Sequence, residues 1–158
     1  MQVLCVSNCV KITWVEMTTF AERLSELISD KDITLIELSR ATKINSSAIY
    51  SWVNHNRLPT LKTLTVLAEY FEGTLDFVAG RTEASQKFIK KSAPPFSTML
   101  KNFMDNHNIN MTELSKGTGI NRTLIYKWFD GDNIPSVENL IRLANYFKCS
   151  LDELVGLE

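Results

Sequence analysis

Apolar residues recur at intervals of three and four along much of the chain, which is the spacing of one face of an α-helix. One such stripe consists of Leu24, Leu27 and Ile28. No stretch of useful length alternates apolar and polar residues with the period of two that is typical of a β-strand. The pattern therefore predicts an all-α protein whose apolar stripes face a core.

Helix start signals recur at short intervals and divide the chain into short helices. Thr19 with Glu22 and Thr34 with Glu37 have the spacing of a capping box, in which two side chains satisfy free backbone N–H groups at a helix start. Further capping positions are Asn45, Thr60, Asn110, Asn121, Ser136 and Ser150. The predicted helices span 20–30, 35–42, 46–54, 61–71, 75–79, 96–106, 111–118, 122–130, 137–147 and 151–155.

These helices form two sets of five because the sequence repeats itself. A shift of 76 residues aligns 20–82 with 96–158 without a gap, and 21 of the 63 aligned positions are identical. For example, "INSSAIYSWV" at 44–53 aligns with "INRTLIYKWF" at 120–129. Most of the identical residues are apolar or capping types, so the sequence predicts two copies of one fold. Each copy is about the smallest size that folds alone.

Two segments lie outside the repeat. Residues 1–19 are predicted to form an N-terminal arm or short strand, or to be disordered. Equally, residues 1–16 lie upstream of a translation start at Met17, since "MTTFAERL" opens directly on a helix signal. Residues 83–95, "EASQKFIKKSAPP", are predicted to be a linker because they are charged and end in two prolines. Fully extended, this linker spans at most about 43 Å, whereas half-sites one turn apart on DNA are separated by about 34 Å.

Composition excludes several classes of function. The chain is 44% hydrophobic and has a net charge of −1, which is typical of a globular protein without an overall basic surface. Three cysteines and two separated histidines do not predict a metal site or a disulfide framework. There is no apolar run long enough for a membrane span and no basic start of a signal peptide. No catalytic motif is recognisable, so we do not expect an enzyme or a cofactor.

The second and third helices of each copy predict a helix-turn-helix. They are joined by "TKIN" in the first copy and "TGIN" in the second, and Gly119 suits a turn with positive φ, whereas Lys43 suits it less. In the third helix, Ile49 and Trp52 lie three residues apart and are expected to face inward. The positions that differ between the copies then lie mainly on the outer face.

The stretches "ITLIELSRATKINSSAIYSWVNHNRLP" and "INMTELSKGTGINRTLIYKWFDGDNIP" resemble the lambda-repressor/Cro-type (XRE) helix-turn-helix family. The stretches that follow, "LKTLTVLAEYFEGTLDFVAG" and "VENLIRLANYFKCSLDELVG", match the last two helices of that family. The resemblance covers both copies and implies two tandem five-helix lambda-repressor-like domains. It also implies a DNA-binding transcriptional regulator whose third helices enter the major groove, in a bacterium, a phage or a mobile element.

The resemblance also suggests which side chains would contact DNA. Base recognition falls on Ser46, Ser47, Ser51, Arg122, Thr123 and Lys127. Phosphate contacts fall on Lys43, Tyr50, Arg57, Lys116 and Tyr126, although the two tyrosines could equally fill a groove between helices. Asn45 and Asn121 are predicted helix caps. Arginine binds a guanine edge with two hydrogen bonds, so Arg122 is the most specific of these residues.

Two features depart from the family and weaken the case for DNA. Leu35 and Met111 replace the glutamine that often begins the second helix, and exposed apolar residues there would suggest packing or a partner surface. Asp130 and Asp132 follow the third helix of the second copy, where carboxylates would repel phosphate if the loop faces DNA. The net charges of the two copies are −1 for 20–82 and −2 for 96–158. Each copy is therefore expected to bind weakly alone and more strongly when joined to the other.

Two hypotheses follow. In the first, a cytoplasmic transcriptional regulator binds an asymmetric double-stranded DNA site with two different third helices. In the alternative, one or both copies have lost DNA binding and serve as a protein-interaction or dimerisation module. A homodimer or another protein partner is possible under either hypothesis, whereas no membrane or metal is expected.

Overall fold

The computed structural model describes residues 18–84, 86–87 and 92–157, and this part of the chain contains helices but no strands. The helices agree with the predicted spans to within one residue at each end. The helices are α1 (Phe20–Asp30), α2 (Leu35–Thr42), α3 (Ser46–His55), α4 (Leu61–Phe71), α5 (Leu75–Val78), α6 (Phe96–Asn106), α7 (Met111–Thr118), α8 (Arg122–Asp130), α9 (Val137–Phe147) and α10 (Leu151–Leu154). Three helix ends differ by one residue: α3 continues to His55, and α5 and α10 end at Val78 and Leu154.

Side-chain caps fix where several of these helices begin. Complete capping boxes start α1, α2 and α7. In α2, the Thr34 hydroxyl accepts the N–H of Glu37, and the Glu37 carboxylate accepts the N–H of Thr34 at 2.7 Å. The backbone N–H and hydroxyl of Thr34 hold the pKa of Glu37 below its ordinary value. The start of the helix-turn-helix is thereby set by local hydrogen bonds.

Each set of five helices encloses an apolar core. The third helix lies at its centre: α3 packs against α1 and α2, and α8 packs against α6 and α7 in the same way. Ile49 and Trp52 of α3 are buried, as predicted, and the Phe20 ring of α1 meets the Trp52 ring edge-on at 6.2 Å. The fully buried core side chains include Leu24, Leu38, Leu64 and Leu67 in the first domain and Leu100, Leu114, Leu140 and Leu143 in the second.

The two domains contact each other through α5 and α10. The carboxylate of Asp152 accepts the backbone N–H of Leu75 at 3.2 and 3.0 Å, and the carboxylate of Asp76 accepts the backbone N–H of Leu151 at 2.6 Å. Because these residues occupy equivalent positions in the repeat, each contact is the counterpart of the other. An exchange of this kind is isologous and indicates a local twofold axis between the domains.

Leu35 and Met111 are not exposed as expected, and of the two interpretations of these residues, packing or a partner surface, the structure supports packing. Both are half-buried and pack against the core, because each lies three residues before a buried leucine of the same helix face, Leu38 or Leu114. Of the predicted N-terminal arm, only Thr18 and Thr19 lie within the described residues, and residues 85 and 88–91 of the predicted linker lie outside them. The described helices are all too short or too polar to cross a membrane.

Candidate nucleic-acid interface

Both turns between the second and third helices are closed by the same hydrogen bonds. In the first domain, the Ser39 hydroxyl donates to the Ile44 carbonyl at 2.6 Å, and the Thr42 hydroxyl donates to the Leu38 carbonyl at 2.7 Å. Ser115 and Thr118 make the equivalent bonds in the second domain, each at 2.7 Å. These bonds give a physical reason for a small hydroxyl residue at the same place in both copies.

The residue that makes the turn differs between the copies, although its conformation does not. Lys43 has φ 58° and ψ 22°, and Gly119 has φ 69° and ψ 14°, so both are left-handed. Glycine adopts this conformation without cost, whereas a lysine side chain is strained there. The first domain thus places an exposed lysine beside the start of α3.

Asn45 and Asn121 cap the third helices. The Asn45 side-chain oxygen accepts the N–H of Ser47 at 2.9 Å, and the Asn121 oxygen accepts the N–H of Thr123 at 2.8 Å. The Ser47 hydroxyl also donates to the Asn45 oxygen at 2.8 Å. That hydroxyl is therefore partly occupied by the cap.

The outer faces of α3 and α8 present different chemistry. On α3, Ser46, Ser47 and Tyr50 are exposed, whereas Ser51 is half-buried and so less accessible than expected. On α8 the exposed side chains are those of Arg122, Thr123, Leu124, Tyr126, Lys127 and Asp130. Among these side chains, α3 has no lysine, arginine, aspartate or glutamate, whereas α8 has two cations and the carboxylate of Asp130. Around these faces, the predicted phosphate-binding residues Lys43, Arg57 and Lys116 are all exposed.

Two side chains of α8 contact each other on its exposed face. The guanidinium of Arg122 donates to the hydroxyl of Tyr126 at 3.1 Å, and its central carbon lies 5.5 Å from the centre of the tyrosine ring. Tyr50 of α3 is the counterpart of Tyr126, and the residue four positions before it is Ser46 rather than an arginine. Its ring instead meets the His55 ring edge-on at 6.2 Å.

The end of the third helix also differs between the domains. Gly131, with φ 86°, ends α8 one residue earlier than α3 ends, because His55 at the equivalent position remains helical. The exposed Asp130 and Asp132 flank this glycine. Ile134, two residues further, is 66% exposed. This loop therefore combines two carboxylates with an apolar side chain.

Sequence reasoning missed the residues that fix one domain against the other. Asp76 and Asp152 are only 8% and 4% exposed, and Arg81 forms a salt bridge with Asp76 and donates to the Asn145 side chain at 2.9 Å. Both aspartates lie in the first turn of a short helix, where a local helix cap is the simplest interpretation. One indication of their role was present in the sequence, because both copies have aspartate at this position. In the part of the chain described, no three His, Cys, Asp or Glu side chains are grouped to hold a metal ion.

Comparison with protein families supports the same division of the chain. Residues 23–76 match the Cro/C1-type helix-turn-helix DNA-binding domain, and residues 100–154 match a helix-turn-helix family. No curated protein and no solved structure matches the chain significantly.

Proposed function

Since the chain belongs to the Cro/C1-type (XRE) helix-turn-helix family, with two such domains in tandem, we propose that it is a transcriptional regulator that binds double-stranded DNA sequence-specifically. It acts in the cytoplasm of a bacterium or on behalf of a phage. In this proposal α3 and α8 each enter the major groove of one half-site. Ser46 and Ser47 contact bases in one half-site, and Arg122, Thr123 and Lys127 contact bases in the other.

The observation that carries this proposal is the reciprocal contact between α5 and α10. The bonds from Leu75 to Asp152 and from Leu151 to Asp76 relate the two domains by a local twofold axis. Dimeric helix-turn-helix proteins use a twofold axis to place two recognition helices on two half-sites. By analogy, we infer that this single chain with two unlike domains binds an operator with two unequal half-sites.

Charge determines how strongly such a protein binds. Lys43, Arg57, Lys116, Arg122 and Lys127 are exposed around the third helices, although neither domain has a net positive charge. Few phosphate contacts give weak binding that falls with salt. Two linked domains bind one duplex more tightly than either alone, because binding of the first raises the effective concentration of the second.

The test is a salt-dependent titration with duplexes selected from random sequence. Wild type is compared with Arg122→Ala and with Ser46→Glu/Ser47→Glu, all of which change exposed side chains. We expect selective binding that falls with salt and weakens in both variants. Loss in only one variant assigns DNA binding to that domain alone. No binding at low salt contradicts the proposal.

A protein-interaction module is the second candidate, and the loop after α8 favours it. Asp130 and Asp132 are exposed and repel phosphate, and Ile134 offers an apolar contact to a protein partner. If the second domain serves this purpose, Arg122→Ala leaves DNA binding unchanged. Asp130→Asn/Asp132→Asn then changes DNA affinity little, whereas in a DNA-facing loop it increases affinity.

A further inference from the structure

The two third helices are unequally equipped to recognise bases. The α3 sequence contains no lysine or arginine, whereas α8 contains Arg122 and Lys127. In α3 the Ser47 hydroxyl is engaged with the cap residue Asn45. Serine accepts or donates hydrogen bonds with several bases and distinguishes them poorly, whereas arginine bound to guanine O6 and N7 is specific.

The arginine of α8 also has two contacts with a side chain of its own helix. Arg122 and Tyr126 lie four residues apart, so they are neighbours on one helix face. The hydrogen bond of 3.1 Å and the ring contact of 5.5 Å hold the guanidinium over the tyrosine. Guanidinium has five N–H donors, so this one bond leaves enough donors to contact both acceptors of a guanine. A side chain already ordered loses less conformational freedom on binding.

We propose that Tyr126 is a positioning residue that orients Arg122 toward a guanine, and that the half-site bound by the second domain supplies most of the sequence preference. This inference rests on the proposed DNA-binding function. It assigns Tyr126 a different role from the phosphate contact expected from the sequence. The hydroxyl is the group that distinguishes the two roles, because it is already bonded to Arg122.

The first experiment measures preference for guanine. A selected duplex is compared with one in which the guanine of the second half-site is replaced by 7-deazaguanine, which lacks the N7 acceptor. Wild type is expected to lose roughly two- to tenfold in affinity, less than for a whole bidentate contact, because O6 still accepts one hydrogen bond, and Arg122→Ala is expected to lose its discrimination. Tyr126→Phe retains the ring but removes the hydroxyl, and should reduce the discrimination by roughly two- to tenfold.

Matched variants in the first domain provide the control and a gain of function. Tyr50→Phe removes the equivalent hydroxyl where no arginine is present, so it should leave the guanine preference unchanged. Ser46→Arg places an arginine four residues before Tyr50, in the arrangement found in α8. Selection with this variant should return an additional guanine in the first half-site.

Nuclear magnetic resonance of the arginine guanidinium groups tests the ordering in the free protein. We expect slower guanidinium rotation for Arg122 in wild type than in Tyr126→Phe. Equal rotation in the two proteins overturns the inference without affecting the proposed function. An equal loss of affinity for guanine and 7-deazaguanine duplexes in Tyr126→Phe also overturns it, since a phosphate contact weakens binding uniformly. If wild type binds no duplex, the proposed function fails and this inference fails with it.

Discussion

The carboxylate of Asp152 accepts the backbone N–H of Leu75, which belongs to the other domain, with both of its oxygens. Leu75 is the first residue of α5, so its N–H has no partner within its own helix. Asp76 satisfies the first N–H of α10 in return. Each domain therefore completes the helix start of the other, which orders the two domains as a pair.

Replacing Asp152 by alanine should separate the two domains functionally. The Leu75 N–H is left without its acceptor, which costs about 1–3 kcal/mol in the free energy of unfolding if the site stays buried. We expect a lower melting temperature in thermal unfolding followed by circular dichroism. Affinity for a duplex with both half-sites should fall more than affinity for a single half-site, because the fixed spacing is lost.

Asp105→Ala is the control for this prediction. Asp105 lies on α6 and is exposed, so its loss changes the net charge equally and should alter stability by no more than about 0.5 kcal/mol. A similar melting temperature for Asp152→Ala and Asp105→Ala would mean that water replaces the carboxylate, and that the interface is not held by this bond.

Arg81 gives a second prediction, because only the first domain has it. Leu157 occupies the equivalent position in the second domain. Arg81 forms a salt bridge with the buried Asp76, and both side chains are almost inaccessible. Arg81→Leu should lower the free energy of unfolding by about 3–5 kcal/mol, because it leaves a buried charge without its cation. Denaturant unfolding measures the change.

A double-mutant cycle checks the cause. Asp76→Asn/Arg81→Leu should be destabilised by less than the sum of the single variants, because the amide removes the uncompensated charge. Arg142→Leu breaks an exposed pair with Glu138 on α9 and should cost no more than about 0.5 kcal/mol. Equal effects of the two arginine substitutions would contradict a buried role for Arg81.

The fold could be predicted from the sequence because its determinants are local. Capping residues such as Thr34 and Asn110 place the helix starts through hydrogen bonds to residues two or three positions away. The inward positions of Ile49 and Trp52 follow from helical periodicity alone. These features depend on residues close together in the chain, so the sequence pattern is enough to predict the helix starts and the buried positions.

The relation between the domains could not be predicted in this way. The Asp152 to Leu75 bond joins residues 77 positions apart, and a carboxylate in a first helical turn is already explained by its own helix. The contact of Arg122 with Tyr126 has helical spacing and was within reach of sequence reasoning. The packing of Leu35 was one of two interpretations left open by the sequence, and its position three residues before the buried Leu38 favours that interpretation.

Cys149 is predicted to be chemically inert in the folded protein. Burial, followed by the charge of Glu153, raises the pKa of its thiol from 9.0 to about 12. The thiolate is the reactive form, and a rise of about three units makes its population on the order of 1,000 times smaller. The pKa of Cys149 is higher in the folded protein than in the unfolded protein. The stability that the protonated, buried thiol contributes is therefore complete below about pH 9 and is lost as the pH rises toward 12.

Alkylation kinetics check this prediction in a Cys5→Ser/Cys9→Ser background, where Cys149 is the remaining cysteine. With iodoacetamide at about pH 8, the native protein should react at a rate that follows the unfolded fraction. The same protein in denaturant should react at once and serves as the reference. Rapid modification without denaturant would show that the thiol is accessible in the native state.

Lys43 is expected to lower the stability of the protein and to contribute to DNA binding. Its left-handed conformation costs a lysine roughly 1 kcal/mol more than a glycine, and Gly119 fills the equivalent position without this strain. Lys43→Gly should therefore raise the free energy of unfolding by about that amount. It should also weaken DNA binding and lower the salt slope by about one, because a phosphate contact is lost.

Two further variants separate the conformational effect from the charge effect. Lys43→Gln keeps the strain but removes the charge, so it should lose DNA affinity without gaining stability. Gly119→Lys introduces the strain into the second domain and should be destabilised by roughly 1 kcal/mol. Urea unfolding measures the stability of these variants, and salt-dependent titration measures their DNA affinity. If Lys43→Gly and Lys43→Gln are equally stable, the left-handed lysine is not strained, whereas equal DNA affinity for Lys43→Gln and wild type would exclude Lys43 from the interface.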